Sequence, residues 1–133
     1  MVHDKTMSKL EELSRSISET FTFLDGLFSS SSMLIAIANT SGLFVKVSQS
    51  WGVLGWTPQE LCLRPYMEFV HPDDVANTNA VWLSITEHGR SVDSFRNRYR
   101  HKDGRYSWLR WCTNSTASDN HVYSLAEYEG IAE

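Results

Sequence analysis

Cysteine is scarce in this sequence: Cys62 and Cys112 are the only two, and neither belongs to a CxxC pair or a Cys/His run. A disulfide framework and a structural zinc site are therefore not expected, and a reducing, cytoplasmic setting fits best. Long apolar runs are missing as well. No uninterrupted stretch approaches the roughly 20 residues that a helix needs to cross a bilayer, so no membrane contact is expected of this segment, whatever flanks it in a longer protein. Charge of one sign is also in short supply. A formal charge of −4, with Lys and Arg spread along the chain, offers no basic stripe for a phosphate backbone, and nucleic acid is not expected as a direct partner. None of the many serines sits in a Gly-x-Ser-x-Gly elbow, and neither cysteine carries the local signature of a nucleophile, so no catalytic residues are assigned.

What is present belongs to one folded unit. At 133 residues the chain has the size of one ordinary domain, and 41% hydrophobic with 21% charged residues is the balance of a globular protein rather than a disordered one. Met7, Leu10, Ile17, Phe21, Leu24 and Phe28 fall three and four apart, a heptad-like stripe broken at Ser14, which predicts one amphipathic helix over 5–28. Lys9, Glu11, Glu12, Arg15 and Glu19 occupy its polar side, and the serines at 29–32 end it. Fewer than four clean heptads are present, too few for an isolated coiled coil. The stripe packs on its own domain, pairs with a second copy, or does both. The expected division is 1–32 as helix and Ser-rich linker, and 33–133 as the folded domain.

From Met33 onward the pattern shortens to strand length. The apolar run Met33 to Ala38 and the segment Leu43 to Val47 flank the turn cluster Asn39-Thr40-Ser41-Gly42, which predicts a β-hairpin. Two short helical pieces follow, Gln49 to Leu54 and Pro58 to Leu61; Thr57-Pro58 is an N-cap with proline in the first turn. Asp73 or Asp74 is placed to cap a longer helix running to about Glu87, with Val75, Thr78, Trp82 and Ile85 on one face. Ser94 to His101, Tyr106 to Thr116 and Val122 to Gly130 read as three strands, joined by turns at Lys102-Asp103-Gly104 and Asp119-Asn120. The order predicts an α+β domain: a five-stranded antiparallel sheet with short helices and one longer helix on one face, behind an N-terminal amphipathic helix.

Four pieces in this order carry a family likeness: Ser41-Gly42; Gly55-Trp56-Thr57-Pro58-Gln59-Glu60-Leu61; His71-Pro72-Asp73-Asp74; and Arg98-Tyr99-Arg100-His101-Lys102-Asp103-Gly104 with Trp108-Leu109. The stretch from Met33 to about Glu129 resembles the PAS domain family, in particular the subfamily with an HPDD motif and a basic, Lys-Asp-Gly, aromatic pattern. The resemblance implies a sheet cupped around a small cavity. It also implies a sensory or regulatory module of signal transduction, such as two-component systems use, relaying signals through flanking helices. A homodimer, or a partner signalling protein, or an attached histidine kinase, cyclase or DNA-binding output domain would go with that role.

Cofactor chemistry within this family asks for particular residues. Flavin-binding photosensors need a cysteine in an Asn-Cys-Arg-Phe motif, whereas this chain has Arg64-Pro65-Tyr66-Met67 there, and Cys62 comes four residues too early. Haem-binding relatives supply a histidine from the long helix, where this chain has none inside, only His71 before it and His88 at its end. Neither flavin nor haem is expected. His71, Asp73 and Asp74 have the chemistry of metal ligands, but no second cluster completes a set. Trp51, Trp56, Tyr66, Phe69 and Trp82 are candidates to line a cavity for a small organic ligand, the alternative being that the same rings fill it as core. Arg96, Arg98 and Arg100 alternate on one strand and share a face, either solvated or holding a carboxylate or a partner. At the C-terminus, Gly130-Ile131-Ala132-Glu133 replaces the Asp-Ile-Thr-Glu type of junction that many relatives use to reach an output helix, which shifts the expected signal route toward the N-terminal helix.

Overall fold

A computed structural model describes residues 12, 15–16, 18–27, 32–116 and 120–133. Helix α1 contains residues 18–27. The hairpin strands β1 (Met33–Asn39) and β2 (Phe44–Val47) follow, then a 3-10 turn at Gln49–Leu54 and the single-turn helix α2 (Pro58–Leu61). Further 3-10 turns at Tyr66–Phe69 and Pro72–Asp74 lead into helix α3 (Val75–Thr86). Strands β3 (Val92–Arg100), β4 (Tyr106–Thr116) and β5 (His121–Ile131) complete the chain. All pairings are antiparallel and the strand order is β2-β1-β5-β4-β3, so the domain is α+β with a five-stranded sheet, as the sequence predicts.

Strict alternation along β1 sends Leu34, Ala36 and Ala38 to the inner face and leaves Met33, Ile35 and Ile37 half-buried on the outer one. The β1–β2 turn is held by the Asn39 side chain, whose Oδ1 accepts from the N–H groups of Ser41 (3.0 Å) and Leu43 (3.1 Å). Gly42 makes that turn at φ 87°, in the left-handed region where a Cβ is penalised. In β2 the simple period fails. Phe44 and Val47 are three apart yet both buried, because Ala38 pairs with Phe44 and Ala36 with Val47, leaving Val45 as the extra residue of a β-bulge and 47% exposed. Two more bulges interrupt the sheet, with Ser94 extra in β3 (φ 69°) and Glu129 extra in β5.

Local signals hold where hydrogen bonds are short in range. Thr57 and Glu60 form a reciprocal capping box at α2, with Glu60 N donating to Thr57 Oγ1 at 3.1 Å and Thr57 N donating to Glu60 Oε1 at 3.0 Å. The β3–β4 hairpin turns where Lys102-Asp103-Gly104 places it. The β4–β5 turn expected at Asp119-Asn120 lies largely outside the described residues, with Asn120 at φ 59°.

The entry to α3 corrects the expected aspartate cap: neither Asp73 nor Asp74 caps the helix through its side chain. The 3-10 turn at Pro72–Asp74 already uses the first N–H groups. Asp74 N donates to His71 O (2.8 Å), and His71 Nδ1 accepts from Asp73 N (3.1 Å). The Asp74 carboxylate is thereby released to a partner on β3.

Trp51 sits at the centre of the core with no exposed surface, its ring 5.6–5.9 Å from those of Phe44, Tyr99 and Trp111 and its Nε1 donating to Ile35 O at 3.0 Å. On the other side of the hairpin, α1 rests on the domain. Phe21 is 7% exposed beneath the Lys46 ammonium, which lies 4.7 Å from its ring centroid, and Asp25 Oδ1 accepts from Gln49 N at 2.8 Å.

Candidate functional site

Inside the cup, the inner face of the sheet and the facing side of α3 do not meet completely. A cavity of about 50 Å³ remains. The small side chains of Ala36 and Ala38 open it from β1. Phe44, Tyr66, Tyr99 and Trp111 supply aromatic walls, and Thr78, Val81, Trp82 and Ile85 close it from α3. Val92, Phe95, Asn97, Thr113 and Ser124 complete the lining. Val81, Trp82, Val92 and Phe95 are half-buried, so the solvent side of the cavity lies where the second half of α3 passes the start of β3.

One wall of this space is polar. Asn97, 2% exposed, accepts from Trp111 Nε1 at 2.8 Å and donates from Nδ2 to Thr78 Oγ1 at 3.3 Å, which joins β3, β4 and α3 through one amide. Thr113 and Ser124, paired in register across β4 and β5, share a hydrogen bond of 2.9 Å. Burial pushes the phenols of Tyr66 and Tyr99 well above the ordinary tyrosine range, so both stay protonated. Of these polar wall residues the sequence marks Tyr66 as a cavity candidate and Thr78 as part of one face of α3, but not Asn97, Tyr99, Thr113 or Ser124. A usable signal did exist: Asn97 sits between Arg96 and Arg98, so strand alternation turns it inward if the arginines face out.

Of the five aromatic candidates, Tyr66 and Trp82 reach the cavity together, their rings 5.1 Å apart. Trp51 is the core residue described above. Trp56 and Phe69 form an edge-to-face pair at 5.2 Å away from the lining, and Trp56 Nε1 donates to Arg100 O at 2.8 Å. Among the helix candidates, Phe21 is buried against its own domain and Leu24 is half-buried. Met7, Leu10, Ile17 and Phe28 lie outside the described residues. Phe23 and Leu27, 66% and 59% exposed, project from the side of α1 opposite Phe21.

Arg96 and Arg98 of the arginine row find carboxylates within the chain. Arg98 donates to Asp74 from its backbone N (2.8 Å), Nε (2.9 Å) and Nη2 (2.7 Å), and these hydrogen bonds hold the Asp74 carboxyl below its usual range. Arg96 and Arg110 share Glu129 at 2.8 and 3.0 Å, with the same effect on its carboxyl. Arg110 Nη1 also reaches Ser94 Oγ at 2.6 Å, so one guanidinium holds the extra residues of two bulges. Trp108, on the outer face while Trp111 is inside, lies under Arg96 and Arg98 at 4.5 and 5.1 Å. Arg100 sits 5.7 Å from the Trp56 ring.

Reactive groups are not gathered around the cavity. Cys62 is half-buried outside the lining, and burial pushes its thiol up. His71 packs on Tyr106 at 4.5 Å between ring centroids, and His88 is exposed. Among the described residues no three His, Cys, Asp or Glu side chains group as a metal site, and no helix is long and apolar enough to cross a membrane.

A five-stranded antiparallel sheet, closed by short helices and one longer helix over a small cavity, defines an α+β domain. The family model for the PAS fold matches residues 44–127, from β2 to within β5, and the chain belongs to that family. It is thus a PAS-type sensory or regulatory module. No curated protein matches the sequence.

Proposed function

We propose that this domain is a regulatory module of a cytoplasmic signalling protein, working as a homodimer without a bound chromophore and without catalytic activity of its own. The motifs His71-Pro72-Asp73-Asp74 and Lys102-Asp103-Gly104 favour the PAS subfamily that carries them, and histidine kinases, cyclases and DNA-binding domains are the outputs it would serve. The observation that carries the reading is the two-sided helix α1. Phe21 faces the domain while Phe23 and Leu27 face solvent, so one helix presents apolar side chains to its own domain and others to solvent, where a second copy would pack. A shift of α1 on the sheet then changes the dimer seam, which is the coupling a signal relay needs.

Support for the absence of a chromophore comes from space and from residue types. A cavity of about 50 Å³ falls far below the roughly 300–1,000 Å³ of pockets that hold drug-sized ligands. No histidine occurs within α3. Sedimentation of the chain at high micromolar concentration tests the proposal. A dimer that weakens when residues 1–28 are deleted, or when Phe23→Ser and Leu27→Ser are combined, supports it; a monomer at that concentration refutes it.

A second reading, a chemoreceptor for a small organic molecule, is favoured by the polar wall. Asn97, Thr113 and Ser124 all line the same space, an arrangement that a merely packed core does not require. Native mass spectrometry after mild purification tests it, and a bare mass counts against it.

A further inference from the structure

Every described residue that lines the cavity is uncharged, and this decides what chemistry the space accepts. An ionised group placed there would lose its hydration with no counter-charge in the walls, an unfavourable exchange even when hydrogen bonds are available. A neutral polar atom meets different conditions. The Asn97 amide uses its oxygen on Trp111 and one Nδ2 hydrogen on Thr78; its second hydrogen has no acceptor among the described residues. Thr113 and Ser124 share a single hydrogen bond between two hydroxyls, which leaves one O–H and several lone pairs unspent. Beside these groups on the same face of the sheet, Ala36 and Ala38 offer only methyls and Phe44 offers ring surface, and Trp82 offers a ring from α3.

We propose that the cavity takes a small neutral molecule, an apolar body of a few carbon atoms bearing one carbonyl or hydroxyl oxygen that accepts from the Asn97 amide, and that it rejects carboxylates and amines of the same shape. The proposal rests on the reading of the cavity as a ligand site. The oxygen satisfies the spare Asn97 hydrogen. The carbon body lies against Ala36, Ala38 and the rings of Phe44 and Trp82. A volume of about 50 Å³ limits the body to a few atoms unless α3 moves away from β3.

The test uses the full chain, isotopically labelled, with matched fragments as probes: 2-butanone and 2-methylpropan-1-ol against butyrate and butylammonium. Side-chain NH2 signals of Asn97 and the indole N–H of Trp111 report binding. The neutral probes are expected to shift both signals saturably, with affinities at least tenfold above those of the charged ones. Ala38→Leu, which fills the space, is expected to weaken the neutral probes at least tenfold. If that variant does not fold, the milder Ala36→Val serves. Equal or tighter binding of a charged probe at these signals overturns the neutral-ligand assignment while leaving a ligand site. No response to any probe removes the ligand site as well. Shifts that persist unchanged in a folded, cavity-filled variant place the binding elsewhere and also overturn the proposal.

Discussion

Replacement of Asn97 by leucine tests the polar bridge that ties β3, β4 and α3 together. The side chains are close in size, so the substitution removes chemistry more than volume. In the wild-type domain the buried Trp111 Nε1–H donates to Asn97 Oδ1 at 2.8 Å, and Thr78 Oγ1 accepts from Nδ2 at the longer distance of 3.3 Å. Leucine leaves the indole N–H without an acceptor in a site where Trp111 is 8% exposed. An orphaned buried donor costs about 1–3 kcal/mol, whereas the loss at Thr78 is smaller because its hydroxyl can turn. A net destabilisation of about 2 kcal/mol is expected. With a urea slope of about 2 kcal/mol per molar for a domain of this size, the unfolding midpoint falls by about 1 M, which far-UV circular dichroism resolves. Trp111→Phe alone leaves a void and frees the amide. The double variant removes both partners, so its loss should be at least 1 kcal/mol less than the sum of the single losses. Additive losses, or a single-variant cost below about 0.5 kcal/mol, would refute the view that this hydrogen bond organises the cavity wall.

Glycine at position 55 is held at φ 82°, and a Cβ built there would lie 3.0 Å from Lys102 Cβ and 3.2 Å from His101 Cε1; Gly55→Ala should therefore cost about 2–3 kcal/mol, the left-handed penalty plus a contact with the hairpin. Gly42→Ala, at a similar φ but with its nearest neighbour a Tyr66 ring carbon at 3.7 Å, should cost only about 1–2 kcal/mol, and denaturation that ranks the pair the other way would reject the steric account. Asp74 has its carboxyl lowered by Arg98, so its contribution is complete above the unfolded carboxylate pKa of about 3.9 and is lost as pH falls through the folded value. The gap in thermal midpoint between wild type and Asp74→Asn should accordingly narrow below about pH 4; a gap unchanged from pH 7 to strong acid contradicts the ion pair. Removing the capping hydroxyl with Thr57→Ala should lower stability by about 1 kcal/mol, measured by urea unfolding, while Thr57→Ser retains most of it.

Much of the architecture is legible in the sequence alone. Element order, the Thr57 cap and the hairpin at Lys102-Asp103-Gly104 all follow from signals within a few residues of one another. The same local reasoning went astray at Asp74. Ser/Thr/Asp before a helix is a sound cap pattern, but the carboxylate had a stronger option in Arg98, 24 residues away along the chain, with three charge-assisted hydrogen bonds in place of one. Distance along the chain also hid the cavity. Trp51, Trp56, Tyr66, Phe69 and Trp82 look alike as large apolar residues, and only packing against Phe44, Tyr99 and Trp111 decides that Trp51 fills the core while Tyr66 and Trp82 border open space.

The sequence by itself determined the α+β class, the five strands and their hairpins, and the amphipathic character of the segment before them. Periodicity and turn chemistry act between near neighbours, and they leave a readable trace there. Tertiary structure alone decided three things: the bulges at Val45, Ser94 and Glu129, the pairing of Arg98 with Asp74 and of Arg96 with Glu129, and the polar wall of Asn97, Thr113 and Ser124. A bulge shifts which side of the sheet every later residue faces, and an ion pair or a cavity exists only once separate elements meet. No window of sequence contains both partners.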